Sequence, residues 1–235
     1  MSHRHVRIRS ASREIQSRRT RPASFRRDFP RGHRLWRDVL TVRGPRIDQA
    51  LLVGNSMGGA LALDAALLHP SRVSGLVLIG AGVSGMTDLN TPFDWRLDPA
   101  SAPLLQRVDD ATLEVEDRIA ALAHLWLDGP AAVEGRVGGS PRDLFNAMNR
   151  RIFDIGAPDD AGEAGVDTWT RLGDISIPAL VTWGDLDIPA DLPFYEETAR
   201  RLGQGPARIL PNVAHLPGLE QPELVADLVR EALHI

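Results

Sequence analysis

The chain has 235 residues, 43% of them hydrophobic, and a formal net charge of −4, which suits one domain with a real core and room for an inserted subdomain. It has no cysteine, which excludes a disulfide scaffold, a thiol nucleophile and a thiolate metal site, and no apolar run approaches the roughly 18 residues needed to cross a bilayer. All 27 basic residues are arginines and they are unevenly placed: residues 1–50 hold 14 arginines against four acids, a net +10, whereas residues 51–235 hold 13 against 27, a net −14.

Residues 1–37 show little periodicity. His5-Val6-Arg7-Ile8-Arg9 alternates as a short exposed strand would. The rest, such as Ser17-Arg18-Arg19-Thr20-Arg21-Pro22, has too little apolar surface to offset its ordering entropy, so we expect a poorly ordered basic arm. It lacks the apolar centre of a secretory signal, although its arginines and serines superficially resemble an organelle transit peptide.

From Ala50 the pattern changes. Ala50-Leu51-Leu52-Val53, closed by Gly54, reads as a buried strand. Residues 57–68 are apolar nearly all round (Leu61, Leu63, Ala65, Leu67, Leu68), as in a buried helix, and end at His69-Pro70. Gly75-Leu76-Val77-Leu78-Ile79 is a second buried strand, closed by Gly80-Ala81-Gly82. Strand, helix and strand in this order imply a right-handed parallel crossover.

The strand pattern then lapses. Residues 111–127 carry apolar positions Leu113, Ile119, Leu122 and Trp126 ahead of Gly129-Pro130, and Ser140-Pro141 reads as a cap and first-turn proline opening a helix through about Phe153. Asp159-Asp160-Ala161-Gly162 reads as a loop. Residues 85–170 are therefore expected to be a mostly helical insertion. Strands resume at 178–183, before Gly184; a helix is expected over 192–202 with Gly203 past its end. Residues 207–210 form a short strand, and a helix from Pro222-Glu223 carries the stripe Leu224, Val225, Leu228, Val229 and Ala232.

Gly54-Asn55-Ser56-Met57-Gly58 fits G-x-S-x-G. That motif makes a sharp turn between strand and helix that exposes the serine hydroxyl, with glycines where the backbones approach closely. Alone it is weak, and a serine ahead of a helix is more often an N-cap; the apolar strand before it and the apolar helix after it are what the turn requires. A serine hydroxyl needs a base to take its proton and a carboxylate to hold that base. Asp185 and Asp187 follow the strand ending at Trp183, and His215 follows the strand ending at Leu210. Both positions lie where parallel strands end, the usual place for sites on open α/β sheets. The other histidines (His3, His5, His33, His69, His124, His234) read as structural or exposed.

Together, Gly-Asn-Ser-Met-Gly-Gly, then Pro-Ala-Leu-Val-Thr-Trp-Gly-Asp-Leu-Asp, then Ala-His-Leu-Pro-Gly-Leu-Glu-Gln-Pro-Glu resemble the α/β-hydrolase family over about residues 48–235. The resemblance implies Ser56 as nucleophile, Asp187 as acid (the family spacing Gly-x-x-Asp prefers it to Asp185), His215 as base and the Met57 amide as one oxyanion donor. It also implies a lid at 85–170. Trp126 and Leu216 are candidate pocket residues, with Trp95 and Trp169 as further possibilities; lid aromatics are at least as often packing. The expected fold is thus α/β, a mostly parallel sheet of the α/β-hydrolase type with a helical lid. Its core is residues 38–84 and 171–235.

The family pattern fades upstream of about residue 47. Family members carry further strands there and a loop, often His-Gly, that donates the second oxyanion amide; here Gly32-His33 is reversed and lies in the arginine-rich tract. The fold is therefore expected to be N-terminally incomplete, with the nucleophile strand on an apolar edge. Residues 1–37 are expected not to be the domain's native start.

The leading expectation is a serine hydrolase of a small carboxylic ester or lactone acting through an acyl-enzyme, without metal or organic cofactor. Serine at the turn argues against the family's dehalogenase and epoxide-hydrolase branches, which use aspartate. One alternative is an inactive, truncated remnant. Another is a carbon–carbon bond hydrolase of aromatic degradation, although those enzymes commonly carry Trp where Leu216 stands. The basic arm, with Phe25, Phe29 and Trp36, has the charge for polyanion binding but no recognisable module, so no nucleic-acid or membrane partner is expected. Cytoplasm is the default location, and the oligomeric state is left open.

Overall fold

In the computed structural model, the described residues are 48–87, 90–92, 96–156, 165–203 and 207–233. The basic arm at 1–37, the run 38–47, Trp95 and the loop at 159–162 lie outside them.

Strand β1 (Ala50–Asn55), helix α1 (Met57–Leu68) and strand β2 (Val73–Ile79) form the expected crossover. Strands β3 (Ala179–Gly184) and β4 (Arg208–Leu210) extend the sheet in the order β1-β2-β3-β4, with every neighbouring pair parallel. A strand sends successive side chains to opposite faces, and β2 shows why its sequence is apolar throughout. Leu76 and Leu78 pack against α1 and helix α5 (Leu192–Leu202), while Val77 and Ile79 pack with Leu210 and with Leu228 of helix α7 (Pro222–Ala232). Both faces of the sheet are covered, as parallel sheets require. Helix α5 ends at Gly203, which takes the left-handed φ of 65° that favours glycine. Among the described residues β1 pairs only with β2, and Val53 is 46% exposed.

Between β2 and β3 lie α2 (Ser101–Asp109), α3 (Val115–Ala123) running into a π-turn (His124–Asp128), and α4 (Gly139–Ile155). No strand occurs among the described residues of this stretch. The helix expected over 111–127 starts later, because the Asp110 carboxylate accepts bonds from the Thr112 amide and hydroxyl and holds a turn there. Helix α2 has no counterpart in the sequence reading. Ser140 is not a cap: α4 begins at Gly139, capped by Gly138. The three helices share a small core of Val108, Leu122, Leu127 and Phe145, against which Leu216 and Leu219 pack.

The two ends of this helical segment meet at α1. The buried Asp64 carboxylate accepts bonds from Ser84 Oγ (2.8 Å) and Thr168 Oγ1 (2.6 Å), and the Trp169 amide donates to the Ser84 carbonyl (2.9 Å). Helix α6 (Pro217–Glu220) is a single short turn after the β4 loop. No described helix is long and apolar enough to cross a membrane.

Candidate active site

The turn between β1 and α1 holds Ser56 at φ 53°, ψ −119°, a conformation L side chains rarely adopt. The surroundings fix it. The Ser56 amide donates to the Ile79 carbonyl (2.9 Å), and the Ser56 carbonyl accepts from Gly59 (3.0 Å), Ala60 (3.3 Å) and Gly82 (3.0 Å). Its side chain makes no capping bond, so the hydroxyl is not used as an ordinary N-cap. The glycine requirement falls on Gly54 and Gly59 rather than on both motif glycines. A Cβ at Gly54 would lie 2.4 Å from the Gly58 carbonyl oxygen and one at Gly59 2.3 Å from Ala81 Cβ, whereas one at Gly58 meets nothing within 4 Å.

Asp187 sits in the loop after β3, 2% exposed, while Asp185 is exposed. Both Asp187 oxygens lie 3.0 Å from His215 Nδ1. The Ile188 amide donates to Oδ1 (2.8 Å) and the buried Tyr195 hydroxyl to Oδ2 (3.3 Å). The His215 backbone is held as firmly as its ring. Its amide donates to the Trp126 carbonyl (3.1 Å), and its carbonyl accepts from Asn55 Nδ2 (3.0 Å), which also bonds the Ile79 carbonyl (2.9 Å). Asn55 therefore ties the Ser56 turn to the His215 loop. Burial alone would push the His215 imidazole down; the Asp187 carboxylate, by charge and hydrogen bond, with Asp191 and Glu220 adding charge, holds it above its ordinary value. Burial pushes the Tyr195 phenol well up, reinforced by Asp187 and Asp191.

Ser56 and His215 line one cavity of about 270 Å³. Met57, the first residue of α1, lines it too, with its amide at a helix start, where N–H groups lack intrahelical partners. Trp126 and Leu216 form part of its wall, and α4 supplies Phe145, Met148, Asn149 and Ile152. Among the described residues no carboxylate and no arginine lines it. Trp169 is elsewhere: fully buried in the main core, it stacks on Phe194 with ring centroids 5.4 Å apart.

The model of the alpha/beta hydrolase family matches residues 9–228. The chain belongs to that family. The match starts inside the arginine-rich segment, upstream of the motifs that carry the resemblance. This hydrolase is 28% identical over 207 residues to a pimeloyl-[acyl-carrier protein] methyl ester esterase of Aromatoleum aromaticum, covering 83% of this chain and 79% of that one. It is 30% identical over 156 residues to a 2-hydroxymuconate semialdehyde hydrolase of Pseudomonas sp., covering 55% of this chain and 53%, about half, of the relative. A thermophilic esterase structure from Thermogutta terrifontis superposes with a TM-score of 0.53 at 25% identity, covering 80% of this chain and 65% of that one.

Sequence reasoning missed Asn55, Tyr195, Glu220 and the α4 wall of the hydrolase's cavity. Asn55 lay inside the motif as an unassigned position. Phe145, Asn149 and Ile152 recur at helical spacing on one face of α4, a signal that says which residues share a face but not what that face covers.

Proposed function

We propose that this hydrolase cleaves small, neutral carboxylic esters or lactones through an acyl-enzyme on Ser56. The observation that carries the reading is the shared cavity of Ser56 and His215, with the buried Asp187 carboxylate on His215 Nδ1. A proton on Nδ1, donated to Asp187, leaves Nε2 as the basic nitrogen. Nε2 takes the Ser56 proton as Oγ attacks the substrate carbonyl, and the Met57 amide stabilises the developing oxyanion. The imidazolium returns the proton to the leaving alcohol. Water, deprotonated by Nε2, then splits the acyl-enzyme to release the acid and restore Ser56. The helical segment at 85–170 acts as the lid that closes the cavity over Ser56.

With no carboxylate and no arginine in its described lining, the cavity favours a neutral, largely apolar substrate, since an anion there would lose its hydration without an arginine to pair with. The carbon–carbon bond hydrolase reading draws on the 30% identity to the semialdehyde hydrolase; against it stands Leu216 in place of the Trp that such enzymes commonly carry. A fluorophosphonate probe tests the mechanism. Stoichiometric labelling of the wild type that disappears in Ser56→Ala is the expected result. Folded protein that takes no label supports the inactive remnant instead.

A further inference from the structure

The loop between the π-turn and α4 sends Arg136 back toward the His215 loop. Its Nε donates to the Asp128 carbonyl (2.7 Å), Nη2 to the Leu127 carbonyl (2.9 Å) and to the Glu220 carboxylate, and Nη1 to the Asn212 carbonyl (3.2 Å). The Glu220 side chain is only 2% exposed and accepts the Ala214 amide at 2.9 and 3.2 Å. Asn212 and Ala214 lead directly into His215, and Asn212 has a φ of 58°, a left-handed turn conformation that asparagine adopts more readily than most residues. The neighbouring carbonyl of Trp126 takes the His215 amide. Arg136 is itself anchored. The fully buried Asp128 accepts the Gly135 and Val137 amides on either side of it (2.9 Å each) and pairs with Arg142.

We propose that Arg136 is a positioning residue for His215: its guanidinium fixes the loop that carries the imidazole, through the Asn212 carbonyl and through Glu220 to the Ala214 amide. This rests on the reading of His215 as the base. Arg136 does not line the cavity, so it acts through the loop rather than on substrate. The planar fork of donors suits four acceptors spread over three segments; the compact ammonium of lysine cannot reach them all. The charged groups around His215 are Asp187 and Asp191 from the β3–α5 connection and Glu220 from α6, with the neutral Tyr195 phenol behind Asp187. Arg136 pairs with the nearest face of that set, Glu220.

The test uses the full chain with Arg136→Gln, Arg136→Lys and Glu220→Gln. Hydrolysis of p-nitrophenyl butyrate is followed against pH, and the His215 Nδ1–H proton is followed by NMR. Arg136→Gln should lower kcat roughly 10- to 100-fold, the cost of misplacing a catalytic group by about 1 Å, with KM within about twofold. Arg136→Lys should recover part of the loss. Glu220→Gln removes a negative charge beside the imidazole, so the acid limb of kcat/KM should move to lower pH. In Arg136→Gln the Nδ1–H resonance should broaden or shift. Wild-type kcat and an unchanged resonance in folded Arg136→Gln overturn the proposal, even if its Tm has dropped. Should Arg136→Gln not fold, wild-type kcat in Arg136→Lys together with an unmoved acid limb in Glu220→Gln overturns it equally. If the wild type hydrolyses no ester and takes no fluorophosphonate, the proposed function fails; the resonance comparison, which needs no turnover, still decides the role of Arg136.

Discussion

Ser56 at φ 53° stores strain of about 1–3 kcal/mol, and its amide's bond to the Ile79 carbonyl and the bonds its carbonyl accepts from Gly59, Ala60 and Gly82 hold it there. The same crowding makes the two motif glycines unequal. At Gly54 a methyl group would meet the backbone of Gly58 and Gly59 at 2.4–2.5 Å, where nothing can swing aside. Gly54→Ala should therefore destabilise the protein by roughly 2–3 kcal/mol or more. Gly58 is exposed with open space around it, so Gly58→Ala should be neutral or stabilising by up to about 1 kcal/mol, the helix-propensity gain. Urea denaturation of both variants checks the contrast; equal losses would mean that the close approach at Gly54 is not what the motif requires.

At the scale of elements, Asp64 joins α1 to both ends of the helical segment. Burial pushes its carboxyl above the ordinary range, against the lowering effect of the Thr168 and Ser84 hydroxyls. A group whose folded pKa is raised contributes most stability below its unfolded value, near 3.8, and loses that contribution as pH rises through the folded value. Asparagine keeps an acceptor for one hydroxyl and carries no charge. Relative to wild type, Asp64→Asn should therefore gain in Tm as pH is raised from about 4 to 7. Thermal melts across that range give the answer, and a Tm difference that does not change with pH would show that the charge on Asp64 carries no such cost.

For the whole molecule, the cavity lies where the sheet's strand ends meet α4 of the helical segment, and its described lining carries no arginine. We expect kcat/KM for p-nitrophenyl butyrate to exceed that for p-nitrophenyl hemisuccinate roughly tenfold or more, since the carboxylate must shed water into an apolar wall. The chain also carries a net −4, and any long-range repulsion would add to the preference. That part disappears in about 0.5 M NaCl, where screening cuts the range to a few ångströms. The part that survives salt measures the cavity itself, and equal rates in high salt would refute the neutral-substrate reading.

How much was legible beforehand depends on how far apart the interacting residues lie. The local chain determined α1, α5 with its Gly203 stop, and the sheet-end positions of Ser56, His215 and the Asp185/Asp187 pair, because periodicity, turn chemistry and motif spacing act over a few residues. Helix α2, the late start of α3 and the capping of α4 by Gly138 rather than Ser140 depended on weaker signals that packing and one Asp110 turn overrode. The sequence could not choose between Asp185 and Asp187 without a family pattern; folding separates them by burying one beside His215 and exposing the other. Arg136 and Glu220, 84 positions apart in the chain, carry no mutual signal at all. Their pairing exists only because α4's loop and the His215 loop fold against each other, and a hydrogen bond across that distance is a property of the tertiary structure alone.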